Sequence, residues 1–314
     1  MAGSAAVALL EDTRYRHHAA AGHPERPDRL VAIGSAIAAS ADLTELPRLA
    51  AAEADDDTLA LAHTRTHIER VGALAKSGGG WFDADTYCTA TSDQIARLAV
   101  GGAVVTANAV LDGVSAHSFA LVRPPGHHAT AERAMGFCLY NNAAIVIRHA
   151  QRRGAQRIAV LDIDVHHGNG TEDIIWDDKN VLYTSLHQSP FYPGTGGAAD
   201  RGAHDNVLNV PLPAGTSAKE WLSQLDTLVL PALTAHGPDL IVVSAGYDGH
   251  QADPLAQFEL STATYAAVAE RVAALTTGSV WLLEGGYDLD ALSDSVMASI
   301  HGLMGITQPV PGTV

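Results

Sequence analysis

The sequence predicts an α/β protein, a parallel sheet with helices on both faces, in one domain spanning residues 1–314. Short apolar runs alternate with longer helical patterns along most of the chain. Polar clusters recur just after the apolar runs, where open α/β sheets keep their binding sites. No Ser-, Gly- or Pro-rich linker, internal repeat or low-complexity tract divides the 314 residues. Residues 1–12 and 309–314 read as peripheral.

In chain order, helix Asp93–Leu111 leads to strand Ser118–Val122, and helix Asn141–Arg152 leads to strand Ile158–Ile163. Strand Val181–Ser185 follows, then helix Lys219–Ala235, with Ser217 as its N-cap and Glu220 at the capping-box position. Strand Leu240–Ser244, helix Ser261–Leu275 and strand Ser279–Leu283 complete the pattern. The loop-rich places are Ser77–Gly80, Pro190–Gly197 and the tail from Pro309.

The composition, 47% hydrophobic and 17% charged, is that of a globular enzyme and excludes a disordered chain. A formal charge of −16 argues against nucleic acid as a partner and suits cationic substrates such as lysine peptides or polyamines. Cys88 and Cys138 are the only cysteines, so a reducing compartment is expected. The amino terminus lacks a basic signal-peptide region, and no apolar stretch looks long enough to span a membrane. The chain therefore reads as soluble and cytoplasmic.

The most informative run is Val160 to Thr171, in which Asp162, Asp164 and His166 alternate with apolar residues. On a strand, the three polar side chains would share one face, and Gly168-Asn169-Gly170 would end it. Buried carboxylates and an imidazole are costly unless satisfied, and a divalent metal would satisfy them. Asp164, His166 and Asp248 offer two carboxylates and one imidazole with an open position, the pattern of a catalytic metal site. His127 and His128, on a Pro-Pro-Gly turn, are the natural proton-transfer pair. Asp162 is the expected partner of one ring and Asn169 of the other. Tyr287, after Gly285-Gly286, is a hydroxyl donor placed to polarise a substrate carbonyl.

Read together, several ordered motifs resemble the zinc-dependent histone deacetylase family. They are Arg123-Pro-Pro-Gly-His-His-Ala129, Gly136-Phe-Cys138, Asp162 to Thr171, Ser185-Leu-His187, Phe191-Tyr-Pro-Gly-Thr-Gly196, Ser244-Ala-Gly-Tyr-Asp248 and Glu284-Gly-Gly-Tyr287. The likeness begins at His23-Pro-Glu-Arg-Pro-Asp-Arg29 and is strongest to class II enzymes and bacterial deacetylase-like amidohydrolases, with Asn169 and Glu284 as the class II-like points.

The resemblance implies an arginase–deacetylase fold with a central parallel sheet of about eight strands. It implies one zinc on Asp164, His166 and Asp248, a water activated by His127 and His128, and a carbonyl held by Tyr287. Asp162 would orient His127, and Asn169 would approach His128. Gly136, Phe137, Tyr192 and Leu255 would form the acyl-lysine tunnel, with His23, Pro24 and Asp85 on rim loops. Potassium would bind at Asp162, Asp164, His166, Ser185 and Leu186, and again near Ile175, Asp178, Val181 and Trp221. Gly168 stands where binuclear arginase-like sites carry a further Asp, which points to one metal. Leu255 stands where the polyamine-selective branch carries an acidic residue, which tilts the reading towards acyl-lysine.

The expected activity is removal of acetyl or related short acyl groups from lysine side chains. An acetylpolyamine or other small-molecule deacetylase is the alternative, and a silent acyl-lysine-binding protein on the same fold is a third reading. Iron or cobalt suits the same donor set, and a homo-oligomer is left open.

Overall fold

The computed structural model describes residues 5–276 and 278–306. Its strands, in chain order, are β1 (Ala5–Leu10), β2 (Arg48–Leu49), β3 (Gly79–Trp81), β4 (Tyr87–Thr89), β5 (Ser115–Ala120), β6 (Ile158–Asp162), β7 (Val181–Gln188), β8 (Val207–Leu212), β9 (Leu240–Ala245) and β10 (Ser279–Leu283). β3 and β4 form a small antiparallel pair. The other eight form one sheet in the order β2-β1-β5-β10-β9-β6-β7-β8, with every pairing parallel. The expected sheet is therefore present.

Every residue of β6, β7, β9 and β10 is buried, as a parallel sheet covered on both faces requires. Parallel neighbours need crossover connections. Helix Asn142–Arg152 lies between β5 and β6, and helix Thr262–Leu275 between β9 and β10. Trp281 of β10 stacks on Phe119 of β5 at 5.9 Å, both fully buried, and truncating either to Ala would cost about 3–5 kcal/mol. β5 and β6 follow one another in the chain yet are separated in the sheet by β10 and β9. That reversal of strand order opens a crevice at the carboxyl ends of the central strands.

Several expectations need correction. Within the expected peripheral segment 1–12, residues 1–4 lie outside the described residues, and Ala5–Leu10 are not peripheral: β1 sits between β2 and β5, and Val7 to Leu10 are fully buried. Residues 309–314 lie outside the described residues. β5 starts before Ser118, and β7 runs on past Ser185 to Gln188. β8 was unanticipated; Asn209 and Pro211 interrupt its apolar run, and Pro211 is tolerated because β8 is an edge strand.

The pattern Lys219–Ala235 is three pieces: Ala218–Gln224, a π-helical stretch Leu225–Val229, and Leu230–His236. Pro231 has no amide hydrogen and its ring crowds the carbonyl four residues back, so a regular helix cannot run through it. The Ser217–Glu220 capping box is formed. Asn141 and Ser261 prove to be N-caps rather than first helical residues. Among the described residues one helix, Ser92–Leu111, is long and apolar enough to cross a membrane, contrary to expectation, but most of it is buried in this fold.

Candidate active site

The polar segments follow β5, β6, β9 and β10, which are consecutive neighbours across the sheet in the order β5-β10-β9-β6. Segments far apart in sequence thus meet at one crevice. The three-residue strand face does not form, however. β6 ends at Asp162, and Asp164 and His166 lie on the bend that follows. The cause is local: Asp162 Oδ1 accepts the Asp164 N–H at 3.2 Å, and Asp164 Oδ1 accepts the His166 N–H at 2.9 Å. Each carboxylate bonds the backbone two residues on and so turns the chain away from the ladder. Gly168 then caps a helix, Asn169–Ile175, instead of closing a strand.

Asp164, His166 and Asp248 offer ligand atoms that all lie within 4.8 Å of one another. The outer oxygens of the two carboxylates are used by the backbone. Gly285 N donates to Asp164 Oδ2 at 2.9 Å, and Val165 N donates to Asp248 Oδ1 at 3.0 Å. The inner oxygens, Asp164 Oδ1 and Asp248 Oδ2, both face His166 Nδ1, at 3.0 and 3.1 Å. A single N–H cannot serve both fully. Burial opposes a charge on His166, yet the two carboxylates outweigh it and push the ring up to about 10. The donor set fits a divalent cation: hard oxygens and one imidazole, with backbone bonds fixing the carboxylates.

Gly285 is required here, because a Cβ would stand 2.1 Å from Asp248 Oδ2. Gly168 is likewise fixed, since a Cβ would meet Asp162 Oδ2 at 2.1 Å, and no further carboxylate could be carried there.

The two histidine rings lie 4.0 Å apart between centroids, inclined at 45°, and are almost fully buried. His127 Nδ1 pairs with Asp162 Oδ2 at 3.1 Å, an oxygen that also accepts Tyr183 Oη–H at 3.2 Å. His128 Nδ1 pairs with Asn169 Oδ1 at 2.8 Å. A carboxylate behind one ring and an amide oxygen behind the other set the rings apart. Burial opposes charge on both. For His127 the carboxylates of Asp164 and Asp162 win and raise it well above the usual histidine value. For His128, burial and the neighbouring His127 and His166 hold it well below. The amide oxygen fixes the His128 proton on Nδ1 and leaves Nε2 with a lone pair.

A pocket of about 260 Å³ opens above these groups. Pro24, Asp85, Gly136, Phe137, Tyr192 and Leu255 line it as expected, together with His127, His128, His166 and Tyr287. Tyr192 meets His128 edge-on at 5.1 Å, and Phe137 meets Tyr287 edge-on at 5.9 Å. Burial, then the nearby Asp248 charge, pushes the Tyr287 hydroxyl well above its ordinary value, so it stays a proton donor.

His23 departs from the expected rim position. It lies beneath the rim, accepting the Glu25 N–H at 3.0 Å and donating to Asp85 O at 2.9 Å, with its ring against Phe137 at 4.6 Å. It supports Asp85 and Phe137 and does not line the pocket.

Around the expected potassium ligands, Ser185 Oγ pairs with His187 Nδ1 at 2.9 Å. At the second place, the carbonyls of Ile175, Asp178 and Val181 converge on one atom, Asn206 Nδ2, each at 3.2 Å. An amide nitrogen fills the centre that a monovalent cation would need, so the residues do not fit an ion there. Trp221 is buried with its indole nitrogen unpartnered.

The sequence had given several contributors no role. Glu284 Oε2 accepts the N–H groups of Gly126 at 2.6 Å and His127 at 3.2 Å, holding the histidine turn. Burial pushes its carboxyl up to about 7. Phe191 stacks on His166 at 5.1 Å. Arg29 donates to Gly286 O at 2.6 Å and to Glu284 O at 2.5 Å, and its guanidinium lies 5.2 Å from the Tyr287 ring centre. These bonds run to backbone groups on distant segments and leave no local pattern. The Arg29 and Glu25 positions inside the His23–Arg29 motif were the available signal.

Comparison with known proteins agrees with this geometry. A family model described as histone deacetylase domain matches residues 23–303. A probable deacetylase of Methanothermobacter thermautotrophicus is 41% identical over 307 residues, covering 95% of this chain and 91% of that protein. The histone deacetylase-like amidohydrolase of Pseudomonas aeruginosa is 39% identical over 303 residues, covering 93% and 80%. Histone deacetylase 15 of Arabidopsis thaliana is 40% identical over 293 residues, 90% of this chain but 53% of the plant protein, so the chain spans about half of that relative. The crystal structure of HDA15 HD domain superimposes with a TM-score of 0.93 at 38% identity, covering 98% of this chain and 92% of that one.

Proposed function

The chain belongs to the histone deacetylase family of hydrolases, and from that premise we propose that it removes acetyl or related short acyl groups from lysine side chains in a zinc-dependent reaction. The observation that carries this reading is the pair of carboxylate oxygens, Asp164 Oδ1 and Asp248 Oδ2, aimed at His166 on the floor of a pocket that the neutral His128 and the Tyr287 hydroxyl also face.

Asp164, His166 and Asp248 would hold the ion. When bound there, zinc polarises the acyl carbonyl and makes a water more acidic. His128 Nε2 takes a proton from the attacking water as its oxygen bonds to the carbonyl carbon. Tyr287 donates its hydroxyl to the carbonyl oxygen as negative charge gathers there. Asp162 holds His127 protonated beside this step. A proton from the histidine pair passes to the amide nitrogen, the C–N bond breaks, and a carboxylate and a free amine leave. Phe137 and Tyr192 wall the acyl-lysine stem, and Asp85 stands at the mouth to meet the polar main chain or the emerging cation.

Leu255, partly exposed, gives the pocket lining an apolar side chain, which suits a lysine stem. Asp85 is the feature that favours the alternative, an acetylated polyamine carrying a second ammonium. Turnover of an acetyl-lysine peptide and an acetylated polyamine, measured side by side, separates the two. The reading expects the higher kcat/KM on the peptide; a strong polyamine preference overturns it.

A further inference from the structure

Asp253 belongs neither to the ion-binding trio nor to the histidine pair, yet it is buried, with 7% of its surface exposed, beside the pocket. Its two oxygens face different segments. Oδ1 accepts the Leu255 N–H at 2.9 Å, on its own loop after β9. Oδ2 accepts the Tyr287 N–H at 2.7 Å and lies 3.4 Å from the Asp288 nitrogen, on the loop after β10. One carboxylate therefore ties the pocket wall at Leu255 to the backbone that carries the Tyr287 hydroxyl. Asp288 in turn caps helix Leu289–Met304 through the Ala291 N–H at 2.9 Å. On the other side, the Arg29 guanidinium holds the carbonyls of Glu284 and Gly286. The loop is gripped by a carboxyl group at its N–H groups and by a guanidinium at its C=O groups.

We propose that Asp253 is the positioning residue for Tyr287: it sets where the tyrosine hydroxyl stands over the acyl carbonyl, and it fixes Leu255 in the same act. The proposal rests on the deacetylase reading above and deepens it.

The chemistry demands a carboxylate. Both oxygens meet N–H donors, so an acceptor is needed on each side. Asparagine offers one acceptor and one NH2 group, which would point a donor at a donor. Asp253→Asn must therefore release either Leu255 or Tyr287. Glu284 makes the contrast. Its Oε2 receives the two backbone N–H groups, and its Oε1 meets the Ser244 hydroxyl at 3.2 Å, which can accept as well as donate. Glutamine can satisfy that arrangement and cannot satisfy the one at Asp253.

The test is a double-mutant cycle with zinc-loaded protein, using Asp253→Asn and Tyr287→Phe singly and together, with Asp253→Glu as the carboxylate-retaining variant. Asp253→Asn is expected to lower kcat by about 10- to 100-fold with KM within about twofold and zinc content unchanged. In the Tyr287→Phe background the same change is expected to cost less than about twofold, because the hydroxyl it positions is gone. Asp253→Glu is expected to recover part of the loss. Equal losses in both backgrounds, or an unchanged kcat, would overturn the proposal.

A second readout needs no turnover. With 3-fluorotyrosine placed at position 287, the fluorine resonance is expected to shift and broaden in Asp253→Asn, or in Asp253→Glu should the first not fold. An unmoved resonance contradicts the positioning role. If the unmodified enzyme hydrolyses neither acyl-lysine nor acetylpolyamine, the deacetylase reading fails while the fluorine signal still decides the position of Tyr287.

Discussion

Glu25 with Arg29 and Arg123, and Asp164 with His166 and Asp248, are both clusters of charge buried in this fold, and they are satisfied in opposite ways. In the first, an anion lies between two cations with no exposed side chain. Arg29 reaches Glu25 Oε1 at 3.1 Å, Arg123 reaches Oε2 at 2.7 Å, and Arg123 also donates to Tyr15 O and His18 O. Burial disfavours the Glu25 carboxylate, but the guanidinium groups of Arg123 and Arg29 outweigh it and hold it down at about 2. In the second, two anions share one imidazole nitrogen and open onto a pocket. A cluster closed by its own counter-ions is architecture. A cluster that still needs positive charge is a binding site.

The sharpest way to break this contrast is to remove one member of each. Asp248→Asn is expected to lower turnover on the order of a thousandfold or more, with the unfolding midpoint unchanged or raised, because it removes a ligand and relieves like charge. Glu25→Gln is expected to do the reverse. It strands two buried guanidinium groups and costs about 3–5 kcal/mol in denaturant unfolding, with a smaller effect on kcat per folded molecule. Interchanged outcomes would show that the two clusters have been assigned the wrong way round.

A smaller effect comes from buried histidines whose burial outweighs the nearby carboxylates, Glu25 beside His18 and Glu172 near His187. Burial depresses His18 to about 3, His63 to about 3 and His187 to about 4, against an unfolded value near 6.5. Their contribution to stability is complete above pH 6.5 and is lost progressively as pH falls towards about 3, since the unfolded chain binds the protons first. At pH 5 each is expected to have lost up to about 2 kcal/mol. Unfolding free energies measured between pH 8 and pH 5 would show this decline; a flat profile would contradict the assignment of these rings as buried and neutral.

The trio was legible because its chemistry is written into contiguous motifs. Asp164 and His166 lie in one run, and Asp248 ends another. The backbone beneath them is not legible in the same way, since alternation at Asp162, Asp164 and His166 imitates a strand, whereas carboxylates bonding their own chain turn it. β1 looks peripheral in the sequence because its apolar run is short and Ala-rich, yet in the sheet it pairs on both sides. Asp253, Glu284 and Arg29 gave little sign of their roles because they act on backbone groups in distant segments, Glu284 on Gly126 among them. Hydrogen-bond support of that kind has no spacing to read.

Asp164, His166 and Asp248 are proposed to form a single divalent-ion site that the closed Glu25 cluster does not share. Zinc titration of metal-stripped protein by calorimetry tests it most directly. One tight site per chain is expected, lost in Asp164→Asn and retained in a Glu25→Gln protein that still folds. Absence of stoichiometric binding, two equivalent sites, or binding undisturbed by Asp164→Asn would contradict it.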